Sequence, residues 1–324
     1  MRIAVTGSVA TDHLMTFPGQ FTDHLIADKL DRVSLSFLVD GLEIRQGGVA
    51  ANIAFGMGCL GLRPLLVGAV GQDFASYRSW LDAHGVDTSG VLESKRAHTA
   101  RFVCTTDQDG NQIASFYPGA MAEARDISIA DVASQAGGVD LVLIGADDPE
   151  AMLRHTAGCA RAGIPFAADP SQQLPRMDAE QTRALVDGAA YLFSNDYELA
   201  LIEQKTGWDA AEIGKRVEVQ VTTLAADGAR ITLAGQSPVT VGAIPGVQAV
   251  DPTGAGDAFR AGFLAAVGWQ LPLERAGQLG CLVAASALET VGTQEYQLTR
   301  ATLTDRFAAA YGAKAAREVA EHLS

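Results

Sequence analysis

The chain has 324 residues, 48% of them hydrophobic and 19% charged, a balance that suits one large α/β domain or two ordinary ones around a well-buried core. Asp and Glu number 38 against 24 Lys and Arg, and the resulting net charge of −14 repels phosphate backbones and argues against nucleic-acid binding. No apolar run is long enough to span a bilayer, the N-terminus is too short in apolar residues for a signal peptide, and the scattered Cys59, Cys104, Cys159 and Cys281 form neither a zinc site nor a disulfide framework, so a cytoplasmic protein is expected.

In chain order, Ile3–Val9 reads as a first strand. Val33–Ile44 alternates apolar and polar residues, as a strand with one exposed face does. The segment Gln46-Gly47-Gly48-Val49-Ala50-Ala51-Asn52-Ile53-Ala54 places paired glycines at a strand-to-helix junction, with room for a ligand against the main chain. Asn52 sits among small apolar residues of the helix Val49–Leu60, where its amide is either a satisfied core group or a ligand contact. Gly56-Met57-Gly58-Cys59-Leu60-Gly61 matches the dinucleotide pattern Gly-x-Gly-x-x-Gly, but it follows a helix and precedes the strand Leu65–Val70, so it reads as a helix end. Arg101–Phe116 alternates around the turn Asp109-Gly110-Asn111. With the earlier alternating stretch it forms either a small β-sheet lid, from about 9–47 and 97–120, or extra edge strands of the main sheet.

Further strands are expected at Leu141–Ile144, Pro165–Ala168, Tyr191–Phe193 and Val219–Leu224, with helices at Glu150–Arg161, Ala179–Asp187 and Asp196–Lys205. This alternation predicts an α/β fold, a mostly parallel sheet flanked by helices, as a single domain over residues 1–324. Asp12, Asp169-Pro170-Ser171, Asn195, Thr223 and Asp251 fall at or beyond the carboxyl ends of predicted strands, where open parallel sheets bind ligands.

The most informative segment is Asp251-Pro252-Thr253-Gly254-Ala255-Gly256-Asp257-Ala258-Phe259, placed after an apolar, β-like stretch and opening a helix. Small residues at 254–256 and free helix N–H donors make an anion hole suited to developing phosphoryl charge. Asp257 in the first turn is either a structural acid favoured by the helix dipole or a base taking a proton from an attacking hydroxyl.

These two glycine-bearing segments resemble the two signatures of the ribokinase-like (PfkB) carbohydrate kinase family, and the family-like features run from Gly7 to about Gln294. The resemblance implies an α/β core with a β-sheet lid and an ATP-dependent phosphotransferase acting on a hydroxymethyl group. It implies Asp257 as catalytic base, Gly254, Ala255 and Gly256 as anion hole, and Asp12, Gly48 and Asn52 as the clamp on sugar hydroxyls. Asn195-Asp196-Tyr197-Glu198 matches the family's Asn-x-x-Glu motif, implying that Glu198 helps place Mg2+, through water, and phosphate; a helix N-terminal acid is its plain alternative. Thr223-Leu224-Ala225-Ala226-Asp227-Gly228 resembles the ATP-binding Thr-x-Gly-x-x-Gly stretch, implying ATP contacts at Asn195, Thr223, Gly228 and Gly256, but Ala225 replaces the middle glycine. Thr290-Val291-Gly292-Thr293-Gln294 resembles the loop that with Asp251 and Thr253 encloses a monovalent cation, K+, in several relatives.

For the acceptor, Phe102 and Phe116 lie on the two arms of the expected hairpin and either sandwich a flat heterocycle or pack a hairpin face. Gln172 and Gln173 offer amides to a purine edge, and Ser8 and Ser36 offer hydroxyls. Within the family the arrangement is similar to that of bacterial members that phosphorylate adenosine on its 5′-hydroxyl, the chemistry of purine salvage. That likeness implies adenosine and ATP as partners, with Phe102 and Phe116 flanking the base and Arg176 neutralising phosphate. The rivals are a ribokinase or fructokinase, and a catalytically inactive nucleoside-binding protein. A homodimer through the lids is expected from the exposed face of their alternating strands.

Overall fold

A computed structural model describes residues 1–25 and 34–323. Eight strand pairings build one large sheet from β1 (Ile3–Thr6), β4 (Leu65–Val70), β5 (Asp87–Glu93), β8 (Leu141–Ile144), β9 (Phe166–Ala168), β10 (Tyr191–Asn195), β11 (Val219–Thr223), β12 (Ala229–Leu233) and β13 (Val239–Val241). Its order is β13-β12-β11-β10-β9-β8-β1-β4-β5, parallel from β11 to β5 and antiparallel only at β11-β12 and β12-β13. The inner strands are apolar on both faces because helices cover both, as the four fully buried residues of β1 and of β8 show. Succession runs outward from β1 in both directions, to β4 on one side and β8 on the other, which opens a crevice at the carboxyl ends of these strands.

One face carries α1 (Val49–Cys59), α2 (Ala75–Ala83), α8 (Ala255–Gly268), α9 (Leu273–Leu288), α10 (Arg300–Tyr311) and α11 (Ala313–Ala320), with Phe55, Phe193, Phe263 and Phe307 in its core. The other carries α3 (Ile129–Gln135), α4 (Pro149–Ala162), α5 (Ala179–Val186), α6 (Asp196–Thr206) and α7 (Ala210–Arg216) over Leu65, Val67, Val142 and Ile144. Helix ends follow local chemistry. Asp148 accepts from the Ala151 N–H to start α4, one residue before Pro149, and Gly163 ends it at φ 66°. Among the described residues no helix is long and apolar enough to cross a membrane, and all four cysteines are free thiols.

A second sheet of four strands stands apart, in the order β3 (Gly41–Gly47), β2 (Ala10–Thr16), β6 (Ala100–Thr106) and β7 (Gln112–Tyr117). This settles the lid against the edge-strand alternative. Three expectations need correction. The first strand ends at Thr6, because Gly7 turns at φ 150° and passes the chain from the main sheet to β2 in the lid, so Asp12 lies within a lid strand rather than at the end of a core strand. The alternating stretch Val33–Ile44 is no continuous strand: Val33 lies outside the described residues, 34–39 has no regular structure, and the strand is Gly41–Gly47. The alternation at 35–39 reflects aromatic packing instead, since the Phe37 ring sits 4.9 Å from both Phe17 and Phe21. Finally, no strand precedes Asp251; residues 242–250 form a loop.

The Gly-x-Gly-x-x-Gly decoy does end α1, and its glycines serve packing: a Cβ on Gly56 would lie 2.6 Å from the Ala261 Cβ of α8. Helices α8 and α9 use the same device, for a Cβ on Gly262 would lie 2.6 Å from the Leu279 carbonyl oxygen. Gly262→Ala should therefore destabilise the protein by about 1–3 kcal/mol through overpacking, although helix propensity alone would stabilise it by about 1 kcal/mol. Urea unfolding decides between them: a higher midpoint for the variant would show that the two helices do not touch so closely in solution.

Candidate active site

The crevice is a cleft of about 1090 Å³. Its floor includes the first turn of α8, where Gly254 is the N-cap at φ 77° and Ala255 and Gly256 follow. Gly254 needs to be glycine on two counts, its backbone angle and the 2.8 Å that a Cβ would leave to Thr293 Cγ2. The N–H groups of Gly256 and Asp257 precede the first i→i−4 acceptor of the helix and remain free for an anion. Asp257 is hemmed in by protein yet half-buried, with an edge open to the cleft. Its burial raises the carboxyl pKa to about 7, against the pull of the Asn52 amide and the Arg260 guanidinium, which favour the carboxylate. A base with that pKa is matched to neutral pH.

Asn52 is buried, and its amide is spoken for in this structure. Nδ2 donates to Asp257 Oδ2 at 2.8 Å, while Oδ1 accepts from Thr293 Oγ1 and Gln294 Nε2, both at 2.9 Å. Gln294 Nε2 also donates to the Tyr77 hydroxyl at 2.5 Å, which donates to the Gly47 carbonyl at 2.9 Å. The two glycine-bearing segments thus meet through one hydrogen-bonded network, and Asn52 orients Asp257. Tyr77 and Gln294 are parts of it that the motifs did not single out as site residues.

Beneath the same turn lies Arg260, also missed from the sequence. Its Nε and Nη2 donate to the two oxygens of Asp169 at 2.5 and 2.7 Å, and Nη1 donates to the Gly256 carbonyl at 3.1 Å. A lone arginine in the otherwise apolar run Ala258–Gly268 was the available signal. Arg176, expected beside phosphate, is exposed at the end of the turn Ser171–Arg176 and is not among the residues lining the cleft, whereas Gln172 is. Gln173 is buried with its Oε1 unpartnered.

The lid contributes a row of side chains. Arg45, Asp12, Phe102 and Phe116 are directly opposite one another across β3, β2, β6 and β7, and directly paired residues share a face. That face is turned to the core, since Ala10 and Ala100 on it pack against Met121. Burial raises Asp12 to about 6, with Arg45 opposing. Gly47 leaves room for this carboxylate, as a Cβ there would lie 3.0 Å from Asp12 Oδ2. Gly48 holds φ 96° at the start of α1, and Ser8 caps that helix by accepting from the Val49 N–H at 3.1 Å. Ser36 is exposed, on the segment without regular structure.

On the nucleotide side, Asn195 and Glu198 form a reciprocal capping box at the start of α6, with Glu198 Oε2 4.0 Å from Arg260. The helix-capping reading of Glu198 is thus met, and its second carboxylate oxygen remains for another partner. Thr223 and Gly228 line the cleft. Ala225 adopts the left-handed φ of 49° that a glycine would take there freely, so the departure from Thr-x-Gly-x-x-Gly keeps the turn at the cost of mild strain. Asp251 accepts from the Thr253 and Gly292 N–H groups at 2.9 and 3.0 Å, which brings the 290–294 loop to Asp251 as expected. Among the described residues no three His, Cys, Asp or Glu groups gather to hold a metal ion. The lone Glu198 carboxylate fits Mg2+ only as the ion is bound in phosphoryl-transfer sites, mostly by water and substrate phosphate.

A second groove, about 870 Å³, lies at the amino ends of β4 and β5, where its Asp82 and Thr88 pair with each other. It is at the wrong sheet edge for a ligand site of this fold and gathers no comparable chemistry.

Comparison with known proteins agrees with this geometry. The model of the pfkB family carbohydrate kinases matches residues 8–300. A nucleoside kinase of Methanothermobacter thermautotrophicus is 32% identical over 90% of this chain and 94% of its own. The structure of a Burkholderia thailandensis nucleoside kinase in complex with inosine superposes with a TM-score of 0.83 at 35% identity, covering 96% of this chain and 99% of that one. The Methanocaldococcus jannaschii nucleoside kinase, an archaeal member of the ribokinase family, gives 0.81 at 25% identity, over 95% and 99%. With its separate four-stranded sheet and the glycine-capped helix that opens on a half-buried aspartate, the chain belongs to the pfkB family of carbohydrate kinases.

Proposed function

We propose that the protein is an adenosine kinase, transferring the γ-phosphate of ATP to the 5′-hydroxyl of adenosine to give AMP and ADP. The observation that carries this reading is the row Asp12–Phe102–Phe116, on the face of the lid sheet that also holds the core-packed Ala10 and Ala100. A carboxylate beside two aromatic rings suits a ribose joined to a flat base, whereas a free sugar has no use for the rings. Gln172 at the cleft supplies an amide for a purine edge, and the likeness to relatives named nucleoside kinases, one of them with bound inosine, supports the same class.

In this reading Asp257 accepts the 5′-hydroxyl proton as the oxygen attacks the γ-phosphorus, and the free N–H groups of Gly256 and Asp257 steady the transferred phosphoryl group. Gly48 and Asn52 frame the ribose, and Ser8 borders it. Thr223, Gly228 and Asn195 border ATP. Mg2+, which neutralises phosphate charge, would be held through water by Glu198, and K+ by Asp251 with Thr253.

Because the base works only when ionised, kcat/KM should fall as the pH is lowered through about 7, the pKa of Asp257. Asp257→Asn should lose roughly 10²–10⁴-fold in kcat while still binding adenosine in calorimetry. Equal loss of turnover and binding would remove the base assignment. Product formation from ATP against adenosine, guanosine, inosine, ribose and fructose tests the acceptor. Adenosine should be turned over fastest, and Phe102→Ala should raise its KM about tenfold; preferred turnover of ribose or fructose, untouched by that variant, would make this a sugar kinase. No turnover with any acceptor would leave a nucleoside-binding protein.

The opposite face of the lid carries Leu42, Ile44, Ile113 and Tyr117, all about half exposed. An apolar sheet face of this kind is suited to a second copy of the chain. Light scattering should give a dimer for the parent and a monomer for Ile44→Glu, and a monomeric parent would refute the lid contact.

A further inference from the structure

We propose that the buried Arg260–Asp169 ion pair is a positioning device for phosphoryl transfer, fastening the turn that carries Gln172 and Gln173 to the helix turn that carries Asp257 and the anion-binding amides. The proposal rests on the kinase reading above.

The placement of the pair is the argument. Asp169 directly follows β9, its own N–H is bonded to the Ile144 carbonyl of β8 at 2.9 Å, and Pro170 and the turn Ser171–Arg176 come next. Arg260 stands one helical turn after Asp257 and is only 5% exposed, the single charged residue of the buried run Ala258–Gly268. The guanidinium fork engages both Asp169 oxygens, so the two segments are held in distance and in plane, which a single-point contact would not do. Its third nitrogen holds the carbonyl of Gly256, in the middle of the anion hole, and its face lies over the Phe193 ring of β10 at 5.7 Å. Arg260 therefore touches both halves of the site.

Energetics favour a role beyond stability. Desolvating two charges costs several kcal/mol, and an apolar pair of similar volume usually stabilises a core as well or better. Among the described residues, Arg260 is also the one cationic side chain lining the cleft, in a chain of net charge −14. The charged and titratable groups that bear on Asp257 are Arg260 on its own helix, Asp169 after β9, Glu198 of α6 by way of Arg260, Tyr77 of α2 and Tyr296 beyond α9. Of these only Arg260 favours the carboxylate.

The test replaces the pair with apolar residues, Asp169→Leu with Arg260→Met, and measures adenosine phosphorylation across pH beside the parent. Thermal unfolding should show a folded protein, since neither charge is left unpaired. The proposal expects kcat to fall roughly 100-fold from lost alignment with KM for ATP within about threefold of the parent. The acid limb should move little, since the double variant removes Asp169, which raises the Asp257 pKa, together with Arg260, which lowers it. A folded double variant with parental kcat would show the pair to be structural only and overturn the proposal. Arg260→Lys covers the case in which the double variant fails to fold. It keeps the charge but not the fork, so the limb should stay in place while kcat drops about tenfold; full kcat in this variant would equally overturn the proposal. A parent that turns over no acceptor removes the kinase reading, and this proposal with it, and is told apart from the other outcomes by the parent alone.

Discussion

The arrangement of the whole site depends on one backbone crossing. The chain leaves the core for the lid at Gly7–Val9 and returns at Gly48, and the two passes touch: a Cβ on Gly48 would lie 2.6 Å from the Ala10 nitrogen and the Ser8 carbonyl oxygen. Ser8 then receives the Val49 N–H on its side chain and the Ala50 N–H on its carbonyl. The lid is thus anchored at the first turn of α1, the helix that carries Asn52 one turn later. Asp12 on the lid and Asp257 on the core are placed by the same few atoms, with Tyr77 and Gln294 bridging the gap behind them. A side chain at Gly48 would pry open both at once.

The second constraint is electrostatic. A strongly acidic chain that binds a nucleoside triphosphate has to hold four negative charges with little help from its surface. Under the proposed function the means are local and built largely from the backbone: the free N–H groups of α8, small residues that leave room for phosphate, and one buried guanidinium beneath them. The same crowding that makes an anion hole desolvates Asp257, which is why its pKa lies about three units above that of an ordinary aspartate. Stability follows with the opposite sign to a salt-bridged acid. Between the ordinary carboxylate range and about 7 the folded form holds a proton that the unfolded chain releases, so folding grows less favourable as the pH rises through that window. An ionised Asp257 is thus obtained at the expense of stability.

How much of this could be read from the residues divides along physical lines. Core strands such as Leu65–Val70 and Leu141–Ile144 are buried on both faces, so their apolar runs announce them, and the helices end where Asp148, Asn195 or Gly163 say they should. The lid was legible as a hairpin at Arg101–Phe116 because a turn fixes its register, and that register is what sets Phe102 against Phe116. The stretch at 34–39 misled because alternation reports alternating burial, not hydrogen-bonded pairing; Phe37 is half-buried against other aromatics and needs no neighbouring strand. The placement of Asp257 and the glycines at a helix start was legible because it is written in local residues. Arg260, Asp169, Tyr77 and Gln294 were harder, since each works through a partner tens to hundreds of residues away, and no local pattern records a contact between positions 169 and 260.

The departure at Ala225 shows how the two kinds of information combine. From the residues alone, an alanine in place of the middle glycine puts the nucleotide turn in doubt. The structure keeps the turn and places Ala225 at a φ of 49°, while Gly228, three residues on, has no such latitude: a Cβ there would lie 2.6 Å from the Ala243 nitrogen. The turn is therefore anchored by the second glycine and merely strained by the alanine, by about 1 kcal/mol. A motif is tolerant where only conformation is at stake and strict where another backbone occupies the space. The same distinction separates Gly48 and Gly254, whose Cβ positions are filled by the chain, from Gly110 at the tip of the lid hairpin, around which there is open space.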